Sequence, residues 1–323
     1  MSIPPSVAVL SLLALAGGCA EPYPLDDELR VTDVQVIGTH NSYHVMINEL
    51  DAWNYTHAPL DEQIRDLGVR QFELDAWWDE DEARWNVLHI PTLDPGTTCE
   101  TLRDCFEDQA AGSAEVEDHL PIVTLLELKS GGGDEDQLRL DALLADLSAV
   151  WPQERLLTPR QVQGDAPTLA EAVASEGWPT LREARGKAIY VLHAGDTWRG
   201  VLTDDDRSVG DSPLFAEAGG DLSCTTCAVQ TVNDPGSDRM APALAAGQLV
   251  RTRSDADNEE ALAGDTTRRD AALASGAHAV STDWPTPHPD TGYVVAFEGG
   301  FPARCNPVTA PAACTPEALE EAR

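Results

Sequence analysis

Val34-Gln35-Val36-Ile37-Gly38-Thr39-His40-Asn41-Ser42-Tyr43-His44 is the stretch that decides the fold. Its first four residues alternate and β-branch as a buried strand does. The turn that follows delivers His40 and Asn41, a proton carrier beside a neutral oxygen ligand, which suits an imidazole acting next to a cation-bound substrate. A single His after a strand is more often a satisfied loop residue than a catalyst, so the motif needs company.

The company is a recurrence of apolar runs that end in polar chemistry: Phe72-Glu73-Leu74-Asp75, Asn86-Val87-Leu88-His89 and Leu125-Leu126-Glu127-Leu128-Lys129. In a barrel of parallel strands all carboxyl ends open on one face, so residues far apart in sequence converge on one pocket. The expected fold is therefore an α/β protein, a TIM-type (β/α)8 barrel in a single domain. A chain of 323 residues accommodates it, and no repeat or low-complexity tract divides the chain into halves.

Glu73 and Asp75 lie two apart on the strand expected over 69–77, so both carboxylates share a face, about 7 Å apart along the backbone. Phe72, Leu74 and Ala76 take the other face. Two acids on an edge strand facing water would read the same way, but the apolar set opposite them places the acids in the barrel mouth. Glu127 and Lys129 repeat the arrangement on the most apolar strand, over 121–129, either as a mutual salt bridge or as a cation ligand beside a phosphate contact. Arg251 and Arg253 also share a strand face, suited to phosphate or polyol recognition or to ion pairs with the abundant acids.

Further strands are expected over 187–193, 228–232, 247–253, 279–283 and 293–297. Helices are expected over 60–68, closed by Gly68, and over 101–111, 134–150 and 266–275. Residues 48–57 read as a loop and 197–226 as a long irregular excursion. Gly131-Gly132-Gly133 lacks the Lys-Ser/Thr of a P-loop and reads as a turn.

The charge is strongly acidic, 56 Asp and Glu against 21 Lys and Arg, for a net −35. Nucleic acid is excluded as a partner. An anionic lipid would have to be met by a local cationic pocket or a bound cation. Residues 7–16 form an apolar segment of signal-peptide length, followed by Ala16-Gly17-Gly18-Cys19. Small residues before a Cys resemble the bacterial lipobox, which implies a lipoprotein-type signal over 1–18, acylation of Cys19, a tether over 19–30 and the catalytic domain over 31–323. No Lys or Arg precedes the apolar run, and Ala16 stands where Leu is usual, so plain secretion is the alternative. Either way the protein is expected to be exported, as an outer-membrane or cell-surface lipoprotein or as a secreted protein.

Of seven cysteines, the six besides Cys19 fall as close neighbours in polar, turn-rich segments. Export then predicts the local pairs Cys99 with Cys105, Cys224 with Cys227, and Cys305 with Cys314. A zinc site on Cys224 and Cys227 would need two more ligands at zinc-like spacing, which the sequence does not offer.

Taken in order, His40-Asn41, Glu73-x-Asp75, His89 and Glu127 resemble the catalytic half of the phosphoinositide-specific phospholipases C. The phrases GTHNSYH, FELDAW, VLHIPTLDPGTTC, LLELKS and STDWP look like the bacterial calcium-dependent branch. The resemblance runs from Val34 to Cys314. It implies one Ca2+ bound by Asn41, Glu73, Asp75 and Glu127, and proton transfer by His40 and His89. It implies a phosphoinositide or related phosphodiester lipid as substrate, reached at a membrane surface peripherally or through a lipid anchor, and cleaved to diacylglycerol and an inositol (cyclic) phosphate. Arg251 matches a headgroup contact. Arg253 stands where the eukaryotic enzymes have a stacking Tyr, and Lys129 is a substitute phosphate or hydroxyl contact. His44 has no role in the family motif and is expected to be structural or to act at one remove.

Two alternatives remain open. A glycerophosphodiester phosphodiesterase shares the barrel but has His-Arg after the first strand, where this chain has His40-Asn41. A surface lipoprotein that binds calcium or phosphoinositide without turnover would keep the site and lack the reaction.

Overall fold

The computed structural model describes residues 23–48, 50–131, 133 and 135–322. The signal segment and Cys19 lie outside the described residues.

Ten strands form one sheet: β1 (Val34–Thr39), β2 (Gln71–Asp79), β3 (Arg84–Val87), β4 (Ile122–Leu128), β5 (Ala188–Leu192), β6 (Leu214–Glu217), β7 (Cys227–Thr231), β8 (Leu249–Arg253), β9 (Ala279–Thr282) and β10 (Ala303–Cys305). Eight of them, all but β3 and β10, run parallel and close a TIM-type barrel in a single domain. The closing pair is Gly38 on β1 opposite Gln71 on β2. A Cβ at Gly38 would stand 2.7 Å from Gln71 Cβ, which cannot swing away, so closure at this seam favours glycine.

The side-chain alternation of β4 shows how the barrel positions its site. Ile122, Leu126 and Leu128 belong to the outer core with Leu102, Phe106, Leu140 and Leu143 of the surrounding helices. Burying Leu126 completely is worth about 2 kcal/mol. Val123 and Leu125 belong to a second cluster with Ile189, Val191 and Val229. Continued by two-residue steps, that inward face becomes Glu127 on β4, Lys129 just past its end and His193 after β5. The helix Leu102–Glu115 starts where Thr101 caps it, its hydroxyl accepting from Asp104 N–H while the Asp104 carboxylate accepts from Thr101 N–H.

Three expectations change. The run ending in His89 is not a barrel stave: β3 is antiparallel to β2, pairing Ala76 with Val87 and Asp79 with Arg84. His89 still reaches the mouth, because β3 folds back along the carboxyl end of β2 and Leu88 N–H donates to Asp75 O. The segment read as an irregular excursion holds the helix Asp196–Thr203 and the barrel strand β6. Only four residues long, β6 falls below the length at which alternation is legible, yet all four are buried. Residues 293–297 make no strand. Tyr293, Val295 and Phe297 alternate inward onto Ile37, Ala261 and Val280 as an extended outer layer, and β10 pairs with β1 instead.

The three predicted disulfides are present: Cys99–Cys105, Cys224–Cys227 and Cys305–Cys314. Residues 23–30 lie against the barrel, with Leu29 buried and Asp26 paired to Arg185 at 2.6 Å.

Candidate active site

The site is built at the carboxyl ends of the strands. Asn41 begins the loop after β1 with φ +42°, a left-handed conformation that Asn tolerates better than most residues and that is stored where function needs it. The turn is pinned to β2: Ser42 N–H donates to Glu73 O and Ser42 Oγ accepts from Glu73 N–H, both at 2.9 Å.

Glu73, Asp75 and Glu127 form an acidic cluster. Glu73 is held across the barrel by a short bond from Arg251 of β8. Burial raises its carboxyl, but the nearby positive charge, that of Arg251 foremost, outweighs that and sets it at about 2. Asp75 is the contrary case. Both its oxygens are buried without a hydrogen bond, and its ion-pair contact is Lys129 Nζ at 3.2 Å. Burial, then the Glu127 charge, push it up to about 8 despite Lys129. Lys129 also donates to Glu127 Oε1 at 2.6 Å.

A buried carboxylate met by one ammonium but by no well-aligned hydrogen bond, beside two more carboxylates, fits a hard cation. Glu73, Asp75 and Glu127 come together here, and Asn41, in the turn pinned to β2, lies against Tyr55.

Each expected catalytic histidine is oriented by a carboxylate. His40 Nδ1 is 2.8 Å from Asp283 Oδ1, and Arg253 donates to His40 Nε2 at 3.2 Å and to Asp283 Oδ2 at 3.1 Å. Burial, then the Arg253 charge, hold the His40 imidazole well below the usual histidine range, so it is neutral, with Nδ1–H on Asp283 and the lone pair on Nε2. His89 Nδ1 is 2.9 Å from Asp94 Oδ2. The two side chains remain 20% and 21% exposed, open to the mouth.

Arg251 and Arg253 are turned onto the site's own acids. Arg251 is buried, bonded to Glu73 and at 2.5 Å to Asn233 Oδ1. Lys129 is a quarter exposed, against 3% for Arg251 and 11% for Arg253.

Several site residues were not assigned from sequence. Asp283 and His193 follow strands and were open to the same strand-end reasoning that found Glu73 and Glu127. His193 Nδ1 is 2.9 Å from Glu217 Oε2, and one of its ring nitrogens lies within 4.8 Å of carboxylate oxygens of Glu73 and Glu127. The loop over 48–57 brings Trp53 edge-on to His89 at 5.2 Å and Tyr55 against His44 at 4.4 Å. No periodicity announces these contacts, nor Asp94.

A family model described as phosphoinositide phospholipase C, Ca2+-dependent, matches residues 29–86 and 81–307. Among solved structures, the chain is similar to the calcium-dependent phosphoinositol-specific phospholipase C of a Pseudomonas species. The apo form is 18% identical, with TM-score 0.62 over 87% of this chain and 97% of that one. The myoinositol complex is 19% identical, with TM-score 0.61 over the same shares. A Ca2+-dependent phosphatidylinositol-specific phospholipase C of Streptomyces antibioticus is 19% identical, with TM-score 0.59 over 80% of this chain and 95% of that one. No curated protein matches.

Proposed function

Because the chain belongs to the Ca2+-dependent phosphoinositide phospholipase C family, we propose that it cleaves phosphatidylinositol to diacylglycerol and an inositol (cyclic) phosphate, with His40 and His89 moving the protons. The observation that carries this reading is the pair of histidine–carboxylate dyads, His40–Asp283 and His89–Asp94, set around one acidic cluster.

Asn41, Glu73, Asp75 and Glu127 would hold the calcium ion, which when bound offsets phosphoryl negative charge and lowers the pKa of the attacking hydroxyl. The neutral His40, its Nδ1–H fixed by Asp283, presents Nε2 as proton acceptor for that hydroxyl as its oxygen bonds to phosphorus. His89, held by Asp94 through Nδ1, presents Nε2 to the leaving diacylglycerol oxygen and donates the proton as the P–O bond breaks. Arg253 sits on His40 Nε2 and would turn toward the phosphoryl group as substrate enters, while Lys129 is placed for a phosphate or hydroxyl contact.

The rim supports a membrane-borne substrate. Met46, Ile47, Leu50 and Leu93 are 36%, 51%, 48% and 54% exposed. Their two loops are zipped into one lip, by a bridge between His44 and Thr97 and by Asn48 Nδ2 donating to Leu93 O at 2.7 Å. An apolar lip of this kind suits shallow contact with a lipid surface. No helix among the described residues is long and apolar enough to cross a membrane. Export by the signal segment, with or without acylation of Cys19, completes the proposal.

The test is headgroup release from phosphatidylinositol vesicles titrated with Ca2+, run beside glycerophosphoinositol. Release that needs calcium and the intact lipid supports the reading; turnover of the deacylated diester alone, or activity that survives exhaustive chelation, overturns it.

A further inference from the structure

We propose that the cation site takes a nitrogen ligand, His193, together with Glu73 and Glu127, and so accepts a borderline divalent ion such as Mn2+ as well as a hard one. The proposal rests on the reading of the acidic cluster as a cation site.

The ligand atoms of Glu73, Glu127 and His193 all lie within 4.8 Å of one another. Donors that share one ion are separated by up to about twice a metal–ligand bond, on the order of 4–5 Å, so these three can converge on one ion with small side-chain adjustments. Acidic residues grouped together do not by themselves make a site. Two further observations point to a ligand here.

The first is the setting of the imidazole. His193 Nδ1 donates to Glu217 Oε2 at 2.9 Å, and the other oxygen of that carboxylate accepts from Thr231 N–H at 2.9 Å, so the ring is fixed from behind by a carboxylate that is itself fixed. A metal-ligating histidine is oriented in this way, with one ring N–H on a carboxylate and the other nitrogen turned to the ion. With Nδ1 engaged, Nε2 is the nitrogen left to face Glu73 and Glu127. The second is Asp75, fully buried two residues from Glu73 and in register with Glu127, whose charge is met by Lys129 Nζ at 3.2 Å but by no well-aligned hydrogen bond, a setting that a divalent ion would complete.

Imidazole discriminates between ions. Calcium prefers oxygen and would use the carboxylates and Asn41, whereas Mn2+ and Zn2+ take a mixed nitrogen and oxygen set. His193 would thus set which ions the site admits beyond calcium.

Mn2+ is the probe, because pulsed EPR detects nitrogen-14 coupled to the bound ion. The whole protein is loaded with Mn2+, and Ca2+ binding is measured in parallel by calorimetry. Coupling from one imidazole is expected in the wild type and lost in His193→Gln, with Mn2+ affinity reduced roughly 10- to 100-fold and Ca2+ affinity changed much less. Should His193→Gln fail to fold, Glu217→Ala is expected to lower Mn2+ affinity by about tenfold, and unchanged affinity in that variant overturns the proposal. If Ca2+ binds while Mn2+ shows no nitrogen coupling, or coupling that survives His193→Gln, the proposal falls and the all-oxygen site stands. If neither ion binds, both fall.

Discussion

His44 and His89 share one oxygen: each places a ring nitrogen 2.9 Å from Asp94 Oδ2. His44 is buried, and its other nitrogen faces Tyr55 O at 3.0 Å. It therefore fixes the carboxylate that fixes His89. His44 has no place in the family motif, and the geometry gives it a positioning role through Asp94. Replacing His40 or His89 by Ala is expected to lower turnover on phosphatidylinositol by roughly two to four orders of magnitude. His44→Ala is expected to cost about tenfold in kcat, with KM little changed. A His44 variant with an unaltered kcat and pH profile would show that Asp94 needs no such support.

Lys129 stands between Asp75 and Glu127, where its ammonium supplies half of the positive charge that a divalent ion would bring. The two cations compete for the same oxygens. Lys129→Gln is therefore expected to bind Ca2+ several-fold more tightly while headgroup release is impaired, and Glu73→Ala or Asp75→Ala to weaken Ca2+ binding. Calorimetry beside the release assay separates the effects; weaker Ca2+ binding in Lys129→Gln would contradict the competition.

The exposed lip predicts interfacial behaviour. Replacing Ile47 and Leu93 by Ser is expected to lower sedimentation with phosphatidylinositol vesicles, while turnover of a short-chain soluble analogue stays within about twofold. The loss of apolar contact, about 25 cal/mol per Å2, sets the scale. Equal losses on vesicles and on soluble analogue would place these residues in folding instead.

Buried neutral histidines make stability depend on pH. His278 accepts from Val250 N–H through Nδ1, and burial lowers its imidazole to about 4. In the unfolded chain a histidine titrates near 6.5, so between about 6.5 and 4 the unfolded state binds the extra proton. The contribution is fully present above pH 6.5 and is lost as pH falls toward 4, up to about 3 kcal/mol at one pKa unit per 1.36 kcal/mol. Asp75, raised to about 8, has the opposite slope, since its folded form holds a proton that the unfolded chain releases. The clean measurement is consequently the difference between wild type and His278→Asn in denaturant melts at pH 7 and pH 4.5. Asn keeps the acceptor and removes the titration, so the variant should lose less stability in acid; parallel curves would refute the assignment.

Cys19 is expected to be the acylated mature N-terminus, from the small residues before it and the apolar segment before those. Intact-mass analysis of the membrane fraction decides it, and a soluble product cleaved elsewhere would sink the idea.

The residues whose shared face is legible in the sequence have a physical trait in common. Glu73 and Asp75, or Glu127 and Lys129, sit on strands long enough for two-residue alternation to separate an apolar side from a polar one, so their common face was visible before any contact was known. The strand ending near His89 was visible as a strand but not as an antiparallel one, because pairing direction leaves no mark on alternation. The short β6 failed for want of length. His193 and Asp283 stand just past strand ends, where the same strand-end reasoning reaches them. Asp94, Tyr55 and His57 could not be read at all, since loop residues take their partners from tertiary folding: His57 Nε2, for instance, reaches back to His40 O at 2.9 Å.

The loop that carries Asp94 leaves β3 and ends at Cys99, which is bonded to Cys105 in the first turns of the helix Leu102–Glu115. That helix is packed in the outer core through Leu102 and Phe106. The aim of His89 is thus tied, through one short covalent staple, to a helix buried against the outside of the barrel. Both cysteines are buried, so the staple is sheltered from solvent, and once formed it keeps the far end of the loop clamped to the helix.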